Sequence, residues 1–289
     1  MKATERPVAP FAQGGTSAPA GHQPRIGFVL GKPVQGNPVL AAVLDHLREL
    51  AATVTVHVSA GDAPMPAWLF ESELVVQRGL GGPELASARH LEHAGVRCCN
   101  RIGATIAVQD RALTDQTLAD AGVPVPATVA AATWAEVIEL TGGRPVVVKA
   151  ADARIGRGLG VLIAETGTLP SPAPFAGPYL AQSFVPNDER DYKVYVAGRH
   201  ARGLVKGRPP RPAGDQYGVP FFPDGELTDL ARMAGRALGL EIYGVDFVYG
   251  PDGPVVVDVN PFPGFRGVPR AARLVARHLA AIATGRDDV

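Results

Sequence analysis

The sequence predicts an α/β plus α+β protein. Three observations carry that reading. Apolar runs of strand length alternate with helically spaced segments over residues 25–100, as in a parallel α/β unit. From residue 145 strands follow one another without intervening helices, which points to antiparallel sheet. At 289 residues the chain has length enough for both parts and for a sizeable buried core.

The elements follow in order. Residues 1–24 are rich in Pro, Gly, Ala and Ser without apolar periodicity, and read as a disordered tail. Order is expected from Arg25. Ile26 to Leu30 is a buried-strand run ending at Gly31. Leu40, Val43, Leu44, Leu47 and Leu50 have helical spacing. Val54–Val58 and Leu74–Val76 read as strands, Pro83–Ala94 as a helix and Val96–Cys99 as a strand. A helix over Leu113–Ala121 stops at Gly122 and the Pro124/Pro126 pair. Thr133 with Glu136 forms a capping box for a short helix to Leu140. Val146–Val148 and Val161–Ile163 are strands joined by a glycine-rich segment. Tyr179–Val185, Lys193–Ala197 and Gly203–Lys206 continue the strands, and Leu227–Leu238 is a helix ending at Gly239. Val245–Tyr249 and Val255–Val259 form a hairpin, and Leu274–Ile282 a closing amphipathic helix.

Composition excludes several classes. Lys plus Arg equals Asp plus Glu, 28 each, so nothing advertises nucleic-acid or acidic-membrane binding. No run of about 18 apolar residues occurs, and the N-terminus lacks the apolar core of a secretory signal. The two cysteines, Cys98 and Cys99, are adjacent. They form neither a disulfide framework nor a zinc ligand set, and read as small apolar residues of a buried strand in a cytoplasmic protein. Only five residues are lysine: Lys2, Lys32, Lys149, Lys193 and Lys206. In a chain that defaults to arginine, each interior lysine asks for a reason.

The hairpin carries the strongest chemical signal. A turn centred on Asp252 puts Asp246 opposite Asp258 and Tyr249 opposite Val255, with Asn260 on the same face as Asp258. Two carboxylates on an otherwise apolar sheet are costly unless compensated. An all-oxygen set suits a hard cation such as Mg²⁺; the plainer alternative is a solvent-facing sheet. The second signal is Lys149, ending an apolar run, followed by Gly156, Gly158 and Gly160 before the next strand. Such a loop can fold over phosphates. It is neither a Walker A loop nor a Rossmann fingerprint. The third signal is Asp191 and Lys193 on one strand face, downstream of Gln182, Ser183 and Phe184.

Taken in order, Arg111, Lys149, the glycine-rich loop, Gln182, the Asp191/Lys193 pair and Asp246/Asp258/Asn260 resemble the ATP-grasp enzymes over roughly residues 100–283. Asn260-Pro261-Phe262-Pro263-Gly264 looks like that family's ending to its metal strand. The resemblance implies a parallel N-terminal pre-ATP-grasp domain (25–100), a central lobe (101–181) and a C-terminal lobe with the metal site (182–289). ATP would lie between the two α+β lobes. Arg111 and Lys149 would contact its phosphates, with Gly156, Arg157, Gly158 and Gly160 closing above. Gln182, Ser183 and Phe184 would hold adenine, and Asp191 the ribose. Asp246, Asp258 and Asn260 would carry two Mg²⁺ ions, with Mn²⁺ as the other candidate. Lys193, Lys206 and Arg208 would act on the transferred phosphoryl group.

Two branches of the family compete. The segment Arg154 to Val161 resembles glutamate-adding (RimK-like) and glutathione-synthetase-like ligases. These join a carboxylate to an amine through an acyl-phosphate, releasing ADP and phosphate. Asp191 to Val196 and Asp258 to Gly264 are similar to inositol polyphosphate kinases. Those carry a substrate histidine in the glycine-rich region, where this chain has none. The ligase is the favoured reading, with amino acids or peptides as substrates and Lys32, Arg78 and Arg211 on the substrate side. A small-molecule kinase is the alternative, and a non-catalytic nucleotide-binding protein the third. Enzymes of this type are commonly homo-oligomers.

Overall fold

The computed structural model of the chain describes residues 23–155, 160–207 and 217–286. Residues 1–22 of the expected 1–24 tail, and Gly156, Arg157, Gly158, Arg208 and Arg211, fall outside the described residues; Pro24 already accepts from the Thr53 N–H at 2.9 Å, one residue before the expected start of order.

The N-terminal unit is a parallel sheet. β1 (Arg25–Leu30), β2 (Thr53–Val58), β3 (Leu74–Arg78) and β4 (Cys98–Cys99) lie in the order β2-β1-β3-β4. Every pairing is parallel, with α1 (Pro38–Glu49) and α2 (Gly82–His93) as crossovers. Ile26 to Leu30 are all buried, as expected for a strand covered on both faces. Asn37 starts α1 by accepting from the Leu40 N–H at 3.2 Å, with Pro38 in the first turn. Leu40, Val43, Leu44 and Leu47 then point into the core. At the sheet's C-terminal end β1 and β3 approach so closely that a Cβ on Gly31 would meet the Gly79 carbonyl oxygen at 1.9 Å.

Two short helices follow, α3 (Ile102–Ala107) and α4 (Arg111–Asp120). The expected start of α4 at Leu113 moves back, because Asp110 caps it by accepting from the Leu113 N–H at 3.1 Å. β5 (Thr128–Ala131), β6 (Val146–Ala150), β7 (Val161–Ala164) and β8 (Tyr179–Ser183) form an antiparallel sheet ordered β5-β8-β6-β7. α5 (Trp134–Thr141) covers one face. Its cap is Thr133, as expected, but the Glu136 carboxylate accepts from the Ala132 N–H rather than from Thr133.

The third sheet is ordered β11-β10-β9-β12-β13 and is wholly antiparallel. Its strands are β9 (Arg190–Ala197), β10 (His200–Gly207), β11 (Val219–Phe221), β12 (Ile242–Gly250) and β13 (Gly253–Pro261). α6 (Gly225–Leu238) packs on it, capped by Asp224 and ended by Gly239 at φ +66°. α7 (Ala271–Thr284) closes the chain.

The cores do not respect the expected divisions. Leu118 and Val123, around α4, share a core with the five-stranded sheet and α6. The sequence division put them with the central lobe; apolar contact, not chain order, decides. Val275 and Leu279 of α7 join Leu44 and Leu47 of α1 in one core, so the N-terminal unit is welded to the C-terminal sheet. β8 runs through Ser183 in the central sheet, two residues past the expected boundary. No helix among the described residues is long and apolar enough to cross a membrane.

Candidate active site

The antiparallel sheets enclose a cavity of about 470 Å³. One wall is the central sheet. Val147 and Lys149 of β6 pair with Ile163 and Val161 of β7, and Val147 with Gln182 of β8. Alternation sends Val146, Val148 and Ala181 to the opposite face against α5. The facing wall is the C-terminal sheet, where Asp191, Lys193 and Tyr195 of β9, Lys206 of β10, and Asp246 and Asp258 border the same space.

The hairpin register was read correctly at its chemical end only. Asp246 pairs with Asp258, but Tyr249 pairs with Pro254 instead of Val255. The turn is two residues, Pro251 and Asp252, between the paired Gly250 and Gly253. A bulge at Val257 restores the register. The bulge also supplies a contact that the sequence did not announce: the Lys149 Nζ donates to the Val257 carbonyl at 2.5 Å. Thus the single lysine of the central wall is anchored on the metal-strand candidate of the other wall.

Lys149 is 7% exposed. Burial pushes its pKa down against the pull of Asp258 and Asp115, with Arg111 adding repulsion. Lys193 behaves oppositely. Burial disfavours its charge, but Asp246 outweighs that and raises its pKa. Asp246 is pushed up from the usual carboxylate range by burial and by the charge of Asp258, despite Lys193. Asn260 donates from Nδ2 to Asp258 Oδ2 at 3.0 Å; Asp246 and Asp258 border the cavity, whereas Asn260 is not among its lining residues. Two carboxylates facing across a hairpin, the inner one strained by its neighbour's charge, are a donor set that fits a hard divalent cation.

Arg111 opens α4 beside the base of the glycine-rich segment. Its N–H donates to the Ala151 carbonyl at 3.1 Å and its Nη1 to the Ala150 carbonyl at 2.7 Å. Among the described residues its Nε is buried without a partner, a donor left for an anion. Gly160 holds the other end of that segment, accepting from the Ala150 N–H at 2.8 Å. A Cβ there would lie 3.0 Å from both Ala150 and Ile155 side chains, so close packing alone accounts for the glycine.

The adenine candidates are partly spent. The Phe184 N–H donates to the Pro145 carbonyl at 3.2 Å, and the Gln182 amide nitrogen to Asp115 Oδ2 at 2.6 Å. Asp115 and Thr128 were missed in the sequence, where nothing sets a helical aspartate or a short-strand threonine apart. Lys32 is exposed and, with Arg78, is not among the cavity's lining residues. Arg78 instead lies against the loop after β13, its Nη2 3.6 Å from where a Gly264 Cβ would be.

No family profile matches the chain. Among solved structures, a RimK domain ATP-grasp protein from Sphaerobacter thermophilus matches with a TM-score of 0.67 at 22% identity, over 89% of this chain and 99% of that one. The fold is ATP-grasp. A structure of the ATP-grasp ligase PsnB with minimal precursor, Mg and ADP gives a TM-score of 0.63 at 18% identity, over 90% of this chain and 98% of that one. In sequence, a probable alpha-L-glutamate ligase of Legionella pneumophila is 25% identical over 252 residues, 79% of this chain and 80% of its own length. Both walls of the cavity are therefore the two sheets of an ATP-grasp fold, and the parallel unit stands at its N-terminal side.

Proposed function

We propose that the chain is an ATP- and Mg²⁺-dependent carboxylate–amine ligase. The observation that carries this is the cavity itself. It has Lys149 on one sheet, Lys193, Asp246 and Asp258 on the other, and the Val257 carbonyl bridging them through Lys149. The likeness to chains named as ligases supports a carbon–nitrogen ligase rather than another user of ATP.

In this reading Arg111 and Lys149 bind the ATP phosphates and Asp191 the ribose. Asp246, Asp258 and Asn260 hold Mg²⁺, which when bound offsets the phosphate charge. An oxygen of the substrate carboxylate bonds to the γ-phosphorus as the bond to the β-phosphate oxygen breaks, giving an acyl-phosphate and ADP. Lys193 and Lys206 place positive charge beside the moving phosphoryl group. The amine then bonds to the acyl carbon, phosphate leaves, and the amine proton passes to solvent. The acid needs no base, being ionised near neutral pH. Lys32, just after β1, and Arg78, the last residue of β3, are assigned in this reading to the first substrate, although neither lines the cavity.

The test follows the γ-phosphate by phosphorus NMR with Mg²⁺ and two acceptor pools. One holds amino acids and small peptides, the other inositols and sugars. Free phosphate that appears only when acid and amine are both present is the expected result. A new phosphate ester without free phosphate would make the protein a kinase.

A further inference from the structure

The cavity face of the C-terminal sheet is a ladder of rows. Lys206 and Asp191 pair across β10 and β9. The second row runs Leu204, Lys193, Asp246 and Asp258. The third runs Arg202, Tyr195, Gly244 and Asn260. Successive rows lie two residues apart along each strand, roughly 7 Å. The ligase reading puts the ribose on the first row and the phosphates with Mg²⁺ on the second. The attacking and leaving oxygens stand roughly in line at phosphorus, so the acceptor lies on the side of the γ-phosphate away from ADP. The order of the rows then brings the substrate carboxylate over the third.

Of that row, Tyr195 borders the cavity. Asn260 is tied to Asp258. The Arg202 guanidinium lies 5.2 Å from the Phe222 ring centroid, with its Nη1 on the Ala201 carbonyl. Gly244 leaves the floor beside Tyr195 low, and a Cβ there would meet Lys193 Cε at 3.1 Å and Pro263 Cγ at 3.3 Å. The Tyr195 ring is braced by Phe265, with centroids 5.3 Å apart, and Phe265 by Phe262 at 6.4 Å. Both phenylalanines are buried. Lys193 Nζ lies 5.8 Å from the Tyr195 centroid, so ring and ammonium border one space. Tyr179, Tyr192 and Tyr243 each spend the hydroxyl on a protein acceptor. The Tyr195 hydroxyl makes no hydrogen bond among the described residues, and it is not one of the buried polar atoms left without a partner. It is therefore open to the cavity that its ring borders.

We propose that Tyr195 is a further catalytic residue, its hydroxyl donating to the oxygen of the substrate carboxyl group that does not attack phosphorus. The proposal rests on the ligase reading and goes beyond it in naming the group that meets the acyl oxygen. That oxygen becomes the carbonyl of the acyl-phosphate. It takes up negative charge when the amine bonds to the acyl carbon, and returns it as phosphate leaves. A fixed donor helps most at the charged stage. The hydroxyl proton is shared and not transferred, so the amine proton still passes to solvent. A phenol ordinarily ionises near pH 10. Burial raises Tyr195 further against the pull of Lys193, with Asp246 adding to the rise, so it stays a donor near neutral pH. The competing explanation is that Tyr195 only packs on Phe265, a role that phenylalanine would fill equally well.

The experiment supplies the full chain with ATP, Mg²⁺, a pool of amino acids and small peptides, and excess hydroxylamine as the amine, and measures ADP and hydroxamate. Tyr195→Phe removes the hydroxyl and keeps the ring. Turnover is expected to fall by about 10²-fold, the scale of losing one donor to a developing oxyanion. The KM for ATP should stay within about 2-fold, because the donor acts on the acyl group and not on the nucleotide. Tyr192→Phe, on the opposite sheet face, should keep wild-type turnover. Turnover of Tyr195→Phe within about 3-fold of wild type overturns the proposal, as does a loss confined to the KM for ATP. Absence of both products from the wild type overturns the ligase reading itself, and the role of Tyr195 with it.

Discussion

Lys193 and Asp246 face each other across β9 and β12, with Nζ 2.8 Å from one carboxylate oxygen and 3.0 Å from the other. Asp258 stands opposite Asp246 on the next strand. The row therefore holds two carboxylates and one ammonium, one positive charge short of balance. Asp246→Asn removes a proposed metal ligand while keeping the shape of the site. Mg²⁺-dependent turnover is expected to fall roughly 10²- to 10³-fold, the scale of losing one preorganised charge-stabilising group. The melting temperature should change little, since the hairpin's apolar face is untouched. Near-normal turnover in this variant, or in Asp258→Asn, would remove the metal assignment.

Lys149 tests the opposite wall. Its ammonium is almost fully buried and spans to the Val257 carbonyl. Replacing it with alanine removes a charge-assisted contact of about 1.5–3 kcal/mol. ATP affinity should weaken by roughly 10- to 100-fold in calorimetry, with the circular dichroism spectrum preserved. An unchanged dissociation constant would reject the phosphate role.

What the sequence made readable was what local pattern encodes. The alternation over 25–100, the Asp246/Asp258 pairing and the Thr133 cap each depend on spacing within one segment, and each is present. Three things were not readable. β5 and β11 are short edge strands of small or proline-containing sequence, Thr128–Ala131 and Val219–Phe221, with no apolar alternation to mark them. The Val257 bulge depends on how a two-residue turn meets a fixed pair downstream, which spacing alone does not show. The partners of Gln182 come from α4 and β5, 67 and 54 residues away. A contact that distant leaves no local signature, and neither does the packing of α4 on the C-terminal sheet.

Asn100 shows how the N-terminal unit is fastened. It is fully buried, its Oδ1 accepting from the Glu241 and Ile242 N–H groups at 2.8 Å each while its Nδ2 donates to the Ile242 carbonyl at 2.7 Å. The side chain thus acts as one more rung at the start of β12. Asn100→Ala would take the Asn100 acceptor from the Glu241 and Ile242 N–H groups, each costing about 1–3 kcal/mol when buried, while the Ile242 carbonyl keeps the Phe262 N–H at 2.9 Å. A loss of several kcal/mol is expected in urea unfolding, large against the usual stability of a protein. A change below about 1 kcal/mol would mean that water replaces the rung.

Cys98 and Cys99 end on the inner edge of this same junction. Burial pushes the Cys98 thiol up to about 12, with Glu92 adding to the effect and Arg97 opposing it. Burial raises Cys99 well above its ordinary value too, followed by the Glu241 charge. Cys99, Glu241 and His278 bring candidate metal-ligand atoms within 4.8 Å of one another. Yet Arg97 Nη2 already holds both Glu241 oxygens, at 2.8 and 2.9 Å, which places a positive charge where a cation would compete. Only the thiolate is nucleophilic. For Cys98 a rise from 9.0 to about 12 cuts the thiolate fraction near pH 7.5 by roughly 10³-fold. The folded chain should therefore resist iodoacetamide for hours and take up two labels per chain once denatured, as read by intact mass. Zinc should leave both the labelling rate and the melting temperature unchanged. Fast labelling of the folded protein would show that β4 opens readily at the edge of its sheet, and a zinc-dependent rise in stability would convert the Cys99, Glu241 and His278 cluster into a metal site.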